Sequence, residues 1–514
     1  MSLSALPLEL KLKAIVELEA WDILHLEQSC KNMYELIEGS PDVWKSLLKR
    51  LCASEKWIWV SYDDLSTAFD FKSACVRSMR FIKLVCGEDS NNLTETLEII
   101  RPFASTAVKP RSSSIDGPLS AFDSGTFKGE FASAAAVVYL VPGGRFLVTV
   151  HVPWLFLWDL RTSAFEGSTS GTPSILSRHR LSFQGRTMRA PSIVLAEVIE
   201  ASTVRILLEE AEPEGVSTFK YSFELVEIEF TAGDKPFSRT LGQLRVLYPM
   251  DTYATPVATY HGHQVFIQWT YHILARPKKL LYVDVAGVHG LPFPNEGVYR
   301  AVPVGVVPLR QRSPPLEIPF TFSIPHPEDT ACLPSPSTHV TILRNDPDSG
   351  PIICAVGEYN YLEPSLDPGF SSNIYHYSFT DPTDPSEGTI RLAERNVYPP
   401  SWELSKPSHD FPCGADSVGY LWSNMSGYGP NAIVDRRSTI HISVTRLPSL
   451  SSTAETRHPP IIRSSRKETI PWRQTPGVPR VYSLCAATGR LAVLWWLMDP
   501  ERESDRLLEV YDFL

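Results

Sequence analysis

Leu6-Pro7-Leu8-Glu9-Leu10 opens the first periodic stretch of the chain, and Ala14, Ile15 and Leu18 carry it on at helical spacing. Pro7 suits the first turn of a helix, where the N–H it lacks would have no intrahelical partner. Leu10, Ala14, Ile15 and Leu18 then fall along one face. Asp22 is placed to cap a second helix through Ile23, Leu24 and Leu26, ending near Asn32, and a third begins around Met33. Gly39-Ser40-Pro41-Asp42 stops the chain and restarts it ahead of Val43–Leu51. Helices this short bury little on their own, so the region needs a partner or a neighbouring domain to complete its core.

Outward from this stretch the sequence changes period. Up to about Arg101 the apolar spacing stays helical, and Gly and Pro are rare. From about Phe127 onward, short runs rich in Val, Ile, Phe, Tyr and Trp alternate with Gly, Pro, Asp and Ser clusters, which is strand patterning. Phe103–Ser124, with Lys109-Pro110-Arg111-Ser112-Ser113-Ser114, reads as an exposed connector. The 43 prolines of the 514-residue chain concentrate in the second half and exclude long helices there. The expected class is α+β and multidomain. A small all-α domain over 1–50 and a helical spacer over 51–102 lead through a connector over 103–124 to a large all-β domain over 125–514.

Within the strand region, Gly143-Gly144-Arg145-Phe146-Leu147-Val148-Thr149-Val150 is followed by Trp154-Leu155-Phe156-Leu157-Trp158-Asp159. A strand, a short connection and a strand closing on Trp-Asp resembles one blade of a WD40-type propeller. Similar pairs recur at Val204–Glu209 with Tyr221–Phe230, and His263–Trp269 with Lys279–Val285. Others are Thr338–Leu343 with Ile352–Tyr361, Asn431–Val434 with Thr439–Arg446, and Gly489–Trp496 with Leu507–Phe513. The sequence stops inside that last apparent strand, which suits ring closure. A β-propeller is the expected architecture, with a pair of β-sandwiches as the alternative.

In the helical region, Leu6-Pro7-Leu8-Glu9-Leu10, Ile15, Leu18, Asp22-Ile23-Leu24, Leu26, Gln28-Ser29-Cys30-Lys31, Tyr34-Glu35-Leu36 and Trp44 resemble the F-box, in register and without gaps. Lys11 and Ala14 depart from the family, which often has larger apolar residues there. The resemblance implies docking on the adaptor Skp1, and through it on a cullin, by a helix-in-groove mode. It implies that Leu6, Pro7, Leu10, Ile15, Leu18, Ile23, Leu24 and Trp44 line the docking face. The layout, a helical module ahead of a strand-rich receptor, is similar to that of F-box proteins abundant in mushroom-forming fungi.

Composition narrows the remaining choices. A net charge of −10 and a pI near 5.8 argue against nucleic acid as a main partner. The cysteines at 30, 52, 75, 86, 332, 354, 413 and 485 form no C-x-x-C pair, so neither a zinc knuckle nor a dithiol redox site is indicated. No apolar run reaches the ~18 to 20 residues that span a bilayer, and the first ten residues lack a secretory pattern. A cytoplasmic or nuclear protein is expected.

Catalytic signatures are missing. There is no G-x-S-x-G elbow, no phosphate loop and no H-E-x-x-H helix. His261-Gly262-His263 has no third ligand nearby, and Glu209-Glu210 with Glu212 reads as a solvated acidic loop. Neither a metal nor a cofactor is expected. Trp402, Trp422 and Tyr428 stand in or beside predicted loops and are candidate partner-binding residues, since Tyr and Trp dominate binding hot spots.

The functional expectation is a non-catalytic substrate receptor of a Skp1–cullin–F-box ubiquitin ligase. Two alternatives stay open at this level: a Skp1-bound scaffold or regulator with no degradation role, and a propeller enzyme with a fortuitous F-box match.

Overall fold

The computed structural model describes residues 6–86, 98–100, 104–108, 137–160, 173–183, 191–213, 218–231, 236–249, 477–497 and 506–514, and the strands named below between 254 and 469. It has a small helical N-terminal region followed by mostly antiparallel sheets.

Five α-helices come first: α1 (Leu8–Val16), α2 (Ala20–Ser29), α3 (Lys31–Glu38), α4 (Pro41–Ser54) and α5 (Ala68–Cys86). Pro41 starts α4 at the position where a missing N–H costs nothing, with Asp42 in the first turn. A 3₁₀ turn over Trp59–Tyr62 precedes α5. The start of α5 is fixed by a capping box: the Asp70 N–H donates to Thr67 Oγ1 (3.1 Å) and the Thr67 N–H donates to Asp70 Oδ2 (3.0 Å).

Two short strands follow, β1 (Glu98–Ile100) and β2 (Ala104–Ala107). The next sheet runs in chain order through β3 (Val137–Leu140), β4 (Phe146–His151), β5 (Trp154–Asp159) and β6 (Ser174–Arg180). The second comprises β7 (Ser192–Glu200), β8 (Thr203–Pro213), β9 (Thr218–Glu229) and β10 (Phe237–Pro249). The third comprises β11 (Ala254–His261), β12 (Gln264–Tyr271), β13 (Leu280–Asp284) and β14 (Gly287–Gly290), and β15 (Val302–Pro303) joins the edge of the second at β10. Then come β16 (Ser337–Arg344), β17 (Ile352–Tyr361), β18 (Phe370–Phe379) and β19 (Thr389–Tyr398). The fifth sheet contains β20 (His409–Pro412), β21 (Ser417–Ser423), β22 (Ile440–Arg446) and β23 (Ser464–Thr469), and the sixth β24 (Gly477–Cys485), β25 (Arg490–Leu497) and β26 (Arg506–Asp512).

The two early strands belong to the two late sheets. β1 pairs in parallel with β23, Ile99 opposite Glu468, while β2 pairs antiparallel with β26, Ser105 opposite Tyr511. Within the expected helical spacer, residues 98–100 form a strand, and within the expected connector residues 104–107 do; both extend sheets whose other strands come from the far end of the sequence. Their shortness hid this, because an edge strand of three or four residues needs only backbone N–H and C=O groups to pair and shows no period of its own.

Most of the hairpins expected from sequence are present, namely β8 with β9, β12 with β13, β16 with β17 and β25 with β26. Ile440–Arg446 pairs instead with β21 and β23, and 431–434 and 439 lie outside the described residues.

The helices do not stand apart from the strands. One continuous apolar core contains Ile15, Ile23, Trp44, Leu47, Phe71 and Cys75 together with Leu147, Trp158, Leu494, Leu508 and Val510. A second core joins Ile58 and Val60 to β3–β6 and β7–β9, and a third joins Phe81 and Val85 to Tyr482, Leu491, Trp495, Tyr511 and Phe513. The need for a neighbour, read from the shortness of the helices, is met inside the chain by α5 and the first and last sheets.

Candidate docking site

The core leaves several large apolar side chains of α1–α3 in water, as it does Phe69 and Leu84 of α5 and Phe237 of β10. Leu8 is 54%, Leu10 49%, Trp21 43% and Tyr34 52% exposed, although each is a residue type ordinarily driven inside. Trp21 stacks on His25 one turn along α2, with ring centroids 6.4 Å apart. Lys31 and Glu35 pair across a turn beside Tyr34.

The eight residues expected on the docking face divide by depth. Pro7 and Leu10 are exposed and Leu6 is half-buried, at the surface. Leu18 and Leu24 are half-buried and pack against the core. Ile15, Ile23 and Trp44 have no exposed surface and belong to the interior, so they shape the face from behind. Sequence reasoning named Leu8 and Tyr34 in the F-box register without placing them on the docking face, and missed Trp21. The signal for it was present: buried Ala20, Ile23 and Glu27 mark the inner face of α2, and Trp21 falls on the opposite side.

The helices are held by polar ties as well as by packing. Arg50 of α4 donates through Nη1 to the Val16 carbonyl (2.7 Å) and through Nη2 to the Leu18 carbonyl (2.5 Å), closing the C-terminal end of α1 with a cation. Lys72 of α5 donates to Glu27 of α2 (2.6 Å) and Glu38 of α3 (3.1 Å), and its ammonium lies 5.8 Å from the centre of the Trp44 ring. One side chain of α5 thus reaches three of the preceding helices, α2, α3 and α4. Burial, reinforced by the neighbouring Glu38, pushes the Glu27 carboxyl up despite the contact with Lys72. Burial would also raise Glu38, but Lys72 and the hydrogen bond shared with Glu27 hold it down.

A second set of ties joins the helical region to the sheets. Arg145 donates to both carboxylate oxygens of Asp159 (3.2 Å each), to the Val60 carbonyl (3.1 Å) and to Asp63. Arg490 repeats the arrangement in the last sheet, donating to Asp512 (2.6 Å) and to the Gly144 carbonyl (3.0 Å). The repeat is visible in the sequence only afterwards. Gly144-Arg145 with Trp158-Asp159 matches Gly489-Arg490 with Tyr511-Asp512, and Tyr in place of Trp concealed it. Trp158 itself is buried and donates from its indole N–H to Thr149 Oγ1 (2.9 Å).

The remaining candidates resolve differently. Glu209 and Glu210 are strand residues of β8, 6% and 2% exposed, not a solvated loop, because β8 is flanked by strands on both edges. Glu227 accepts from Arg205 (2.8 Å) and Arg239 (2.9 Å). Burial would raise its carboxyl, and the two guanidinium groups hold it low instead. Glu224, also buried, accepts from the Ser182 N–H (2.7 Å), Ser182 Oγ (2.6 Å) and Thr240 Oγ1 (2.7 Å). Burial pushes the Cys52 thiol up to about 12 and that of Cys75 higher, so neither is a nucleophile at neutral pH. Among the described residues no group of three or more His, Cys, Asp or Glu is placed to hold a metal. No helix among them is long and apolar enough to cross a membrane. Trp422 lies in β21 opposite His441 and not in a loop, while Trp402, Tyr428 and His263 lie outside the described residues.

No protein-family model and no curated protein matches the chain. Solved structures similar to it include the α-L-arabinofuranosidase Arb93A from Fusarium graminearum, at 9% identity over 80% of this chain and 98% of that one, with a TM-score of 0.32. The N-terminal domain of Nup159 matches at 8% identity over 74% and 89%, with a TM-score of 0.25. A Trichoderma reesei family AA12 carbohydrate-active enzyme matches at 8% over 82% and 100%, with a TM-score of 0.30. Likeness at this level carries no argument about what the chain does.

Proposed function

We propose that this chain is a substrate receptor of a Skp1–cullin–F-box ubiquitin ligase, acting in the cytoplasm or nucleus without chemistry of its own. The observation that carries the proposal is the set of exposed apolar side chains on α1–α3, in a sequence register that resembles the F-box. Leu8, Leu10, Trp21 and Tyr34 offer apolar surface that gains from removal from water at ~25 cal/mol per Å², and helices present such surface to grooves. The strand region is proposed to form a β-propeller that holds the target protein. Supporting this are successive four-stranded antiparallel units, the repeated Gly-Arg and aromatic-Asp pairs in the first and last of the consecutive sheets, and the pairing of β2 with β26. Holding the target beside the conjugating enzyme would raise the effective concentration of its lysines.

Co-expression with Skp1 tests the docking end. The wild-type chain is expected to co-purify with Skp1 at equal stoichiometry, and Leu10→Asp combined with Tyr34→Ala to lose it while melting unchanged. Absence of Skp1 from the wild-type preparation refutes the reading. Recovery of a cullin in the same complex separates a ligase receptor from a Skp1-bound scaffold.

A further inference from the structure

We propose that the docking face of α1–α3 is displayed only by the completed strand region, because α4, α5 and β24–β26 form one cooperative folding unit. What this means for Skp1 rests on the function proposed above; the folding statement does not.

The argument starts from α5. Its residues Phe71, Ala74 and Cys75 are buried toward the docking helices, in the same core as Trp44, Leu47, Leu48 and Cys52 of α4. That core also contains Leu494 of β25 and Leu508 and Val510 of β26. Further along α5, Phe81 and Val85 have no exposed surface, and they share a core with Ile440 and Ile442 of β22 as well as with the last hairpin. The Phe81 ring lies 6.2 Å from that of Phe513, and Arg77 Nη2 donates to the Leu514 carbonyl (2.7 Å). A Cβ added at Gly489 would sit 3.0 Å from Phe81 Cδ2, so helix and hairpin turn touch with no spare layer between them.

The segment between α4 and α5 is tied down as well. The Ile58 N–H donates to the Pro142 carbonyl (3.0 Å) and the Trp59 N–H to the Ala201 carbonyl (2.8 Å). A helical module able to fold alone would keep its large apolar side chains to itself. Here Ile58, Phe81 and Val85 are covered by strands, more than so small a domain can leave in water. Lys72 passes this dependence on to the docking helices, since it reaches Glu27 and Glu38 from an α5 that the strands hold in place. The last strand thereby controls whether the first helices present their face.

Hydrogen exchange on the full chain at rising denaturant reads the coupling directly. Amides of Leu47, Leu48, Ala74 and Cys75 are expected to exchange through the same opening as those of Leu494 and Val510, with one shared denaturant slope. Val510→Ala, which trims a buried side chain, is expected to raise the opening constant of both sets by the same factor, about tenfold. Helices that open at lower denaturant than β24–β26, or that keep their protection in Val510→Ala while the strands lose theirs, overturn the proposal. If that variant fails to accumulate, the wild-type slopes still decide. A wild-type chain that shows the shared opening but retains no Skp1 refutes the docking function alone.

Discussion

Gly144→Ala is the sharpest test of the junction between helices and sheets. Gly144 has φ +70°, in the left-handed region that costs an L-residue roughly 1–2 kcal/mol. An added Cβ would lie 2.8 Å from Thr488 Cγ2 and 2.9 Å from Thr488 Cβ, well inside the ~3.5–4.0 Å of comfortable carbon contact. Thr488 is buried in the turn between β24 and β25 and has no room to retreat. Overpacking of this kind adds about 1–3 kcal/mol. Against this, alanine gains about 0.4–1 kcal/mol by restricting the unfolded chain. The net expectation is a loss of about 3 kcal/mol, with the Gly144 carbonyl drawn away from Arg490 as the backbone yields. Urea unfolding followed by tryptophan fluorescence measures it. Thr488→Ala in the same chain should recover the part due to Cγ2 and Oγ1 and leave the backbone strain, giving a coupling of ~1 kcal/mol or more. Gly242→Ala is the control: nothing lies within 4 Å of its added Cβ, and it should cost nothing or stabilise slightly. A Gly144→Ala chain that unfolds within 0.5 kcal/mol (roughly the range of neutral surface changes) of wild type refutes the reasoning, as does an equal loss in Gly242→Ala.

Lys72→Met should destabilise the chain at neutral pH by on the order of 3 kcal/mol, because it leaves Glu27 buried without its cation. The loss should shrink on acidification, since a carboxyl raised by burial stabilises the fold only when protonated. Melting curves at pH 7 and pH 5 test the sign. Asp70 has the opposite sense: burial would raise its carboxyl, but hydrogen bonds from Thr67 and Ser66 hold it below the usual range. Its contribution is therefore present above about pH 4 and fades below. Asp70→Asn should flatten the acid limb of the stability curve. Thr149→Val removes the acceptor of the buried Trp158 N–H and should cost about 1–3 kcal/mol, whereas Thr149→Ser, which keeps the hydroxyl, should cost less. Equal losses in the two variants would assign the effect to packing.

Much of the organisation was readable from periodicity. The helical opening, the change to strands and most hairpin pairs followed from spacings of 3.6 and 2, which persist whatever the tertiary arrangement. Three things were not readable. The depth of Trp44 and Ile23 depends on α5 and the last sheet covering them, and an apolar residue at helical spacing looks the same facing core or partner. β1 and β2 form by pairing with residues near 467 and 511, a contact with no local signature. Glu209 and Glu210 look like surface acids in a Pro- and Gly-flanked stretch, and only the neighbouring strands make them interior. The exposed apolar side chains of α1–α3 were half legible: Pro7 and Leu10 were placed at the surface, while Trp21 and Tyr34 were not until the inner faces of α2 and α3 were fixed.

The placement of β1 and β2 also sets an order of events during synthesis. The ribosome makes the helical end first, yet residues 98–100 wait for 467–469, and 104–107 wait for 509–512, before their sheets can close. Through that whole interval α5 has its apolar side uncovered, a natural binding surface for a chaperone. A message cut short before β26 would release a chain in which α5 lacks the part of its cover that Tyr511 and Phe513 supply. Such a fragment would go to degradation, so truncation alleles should behave as recessive losses.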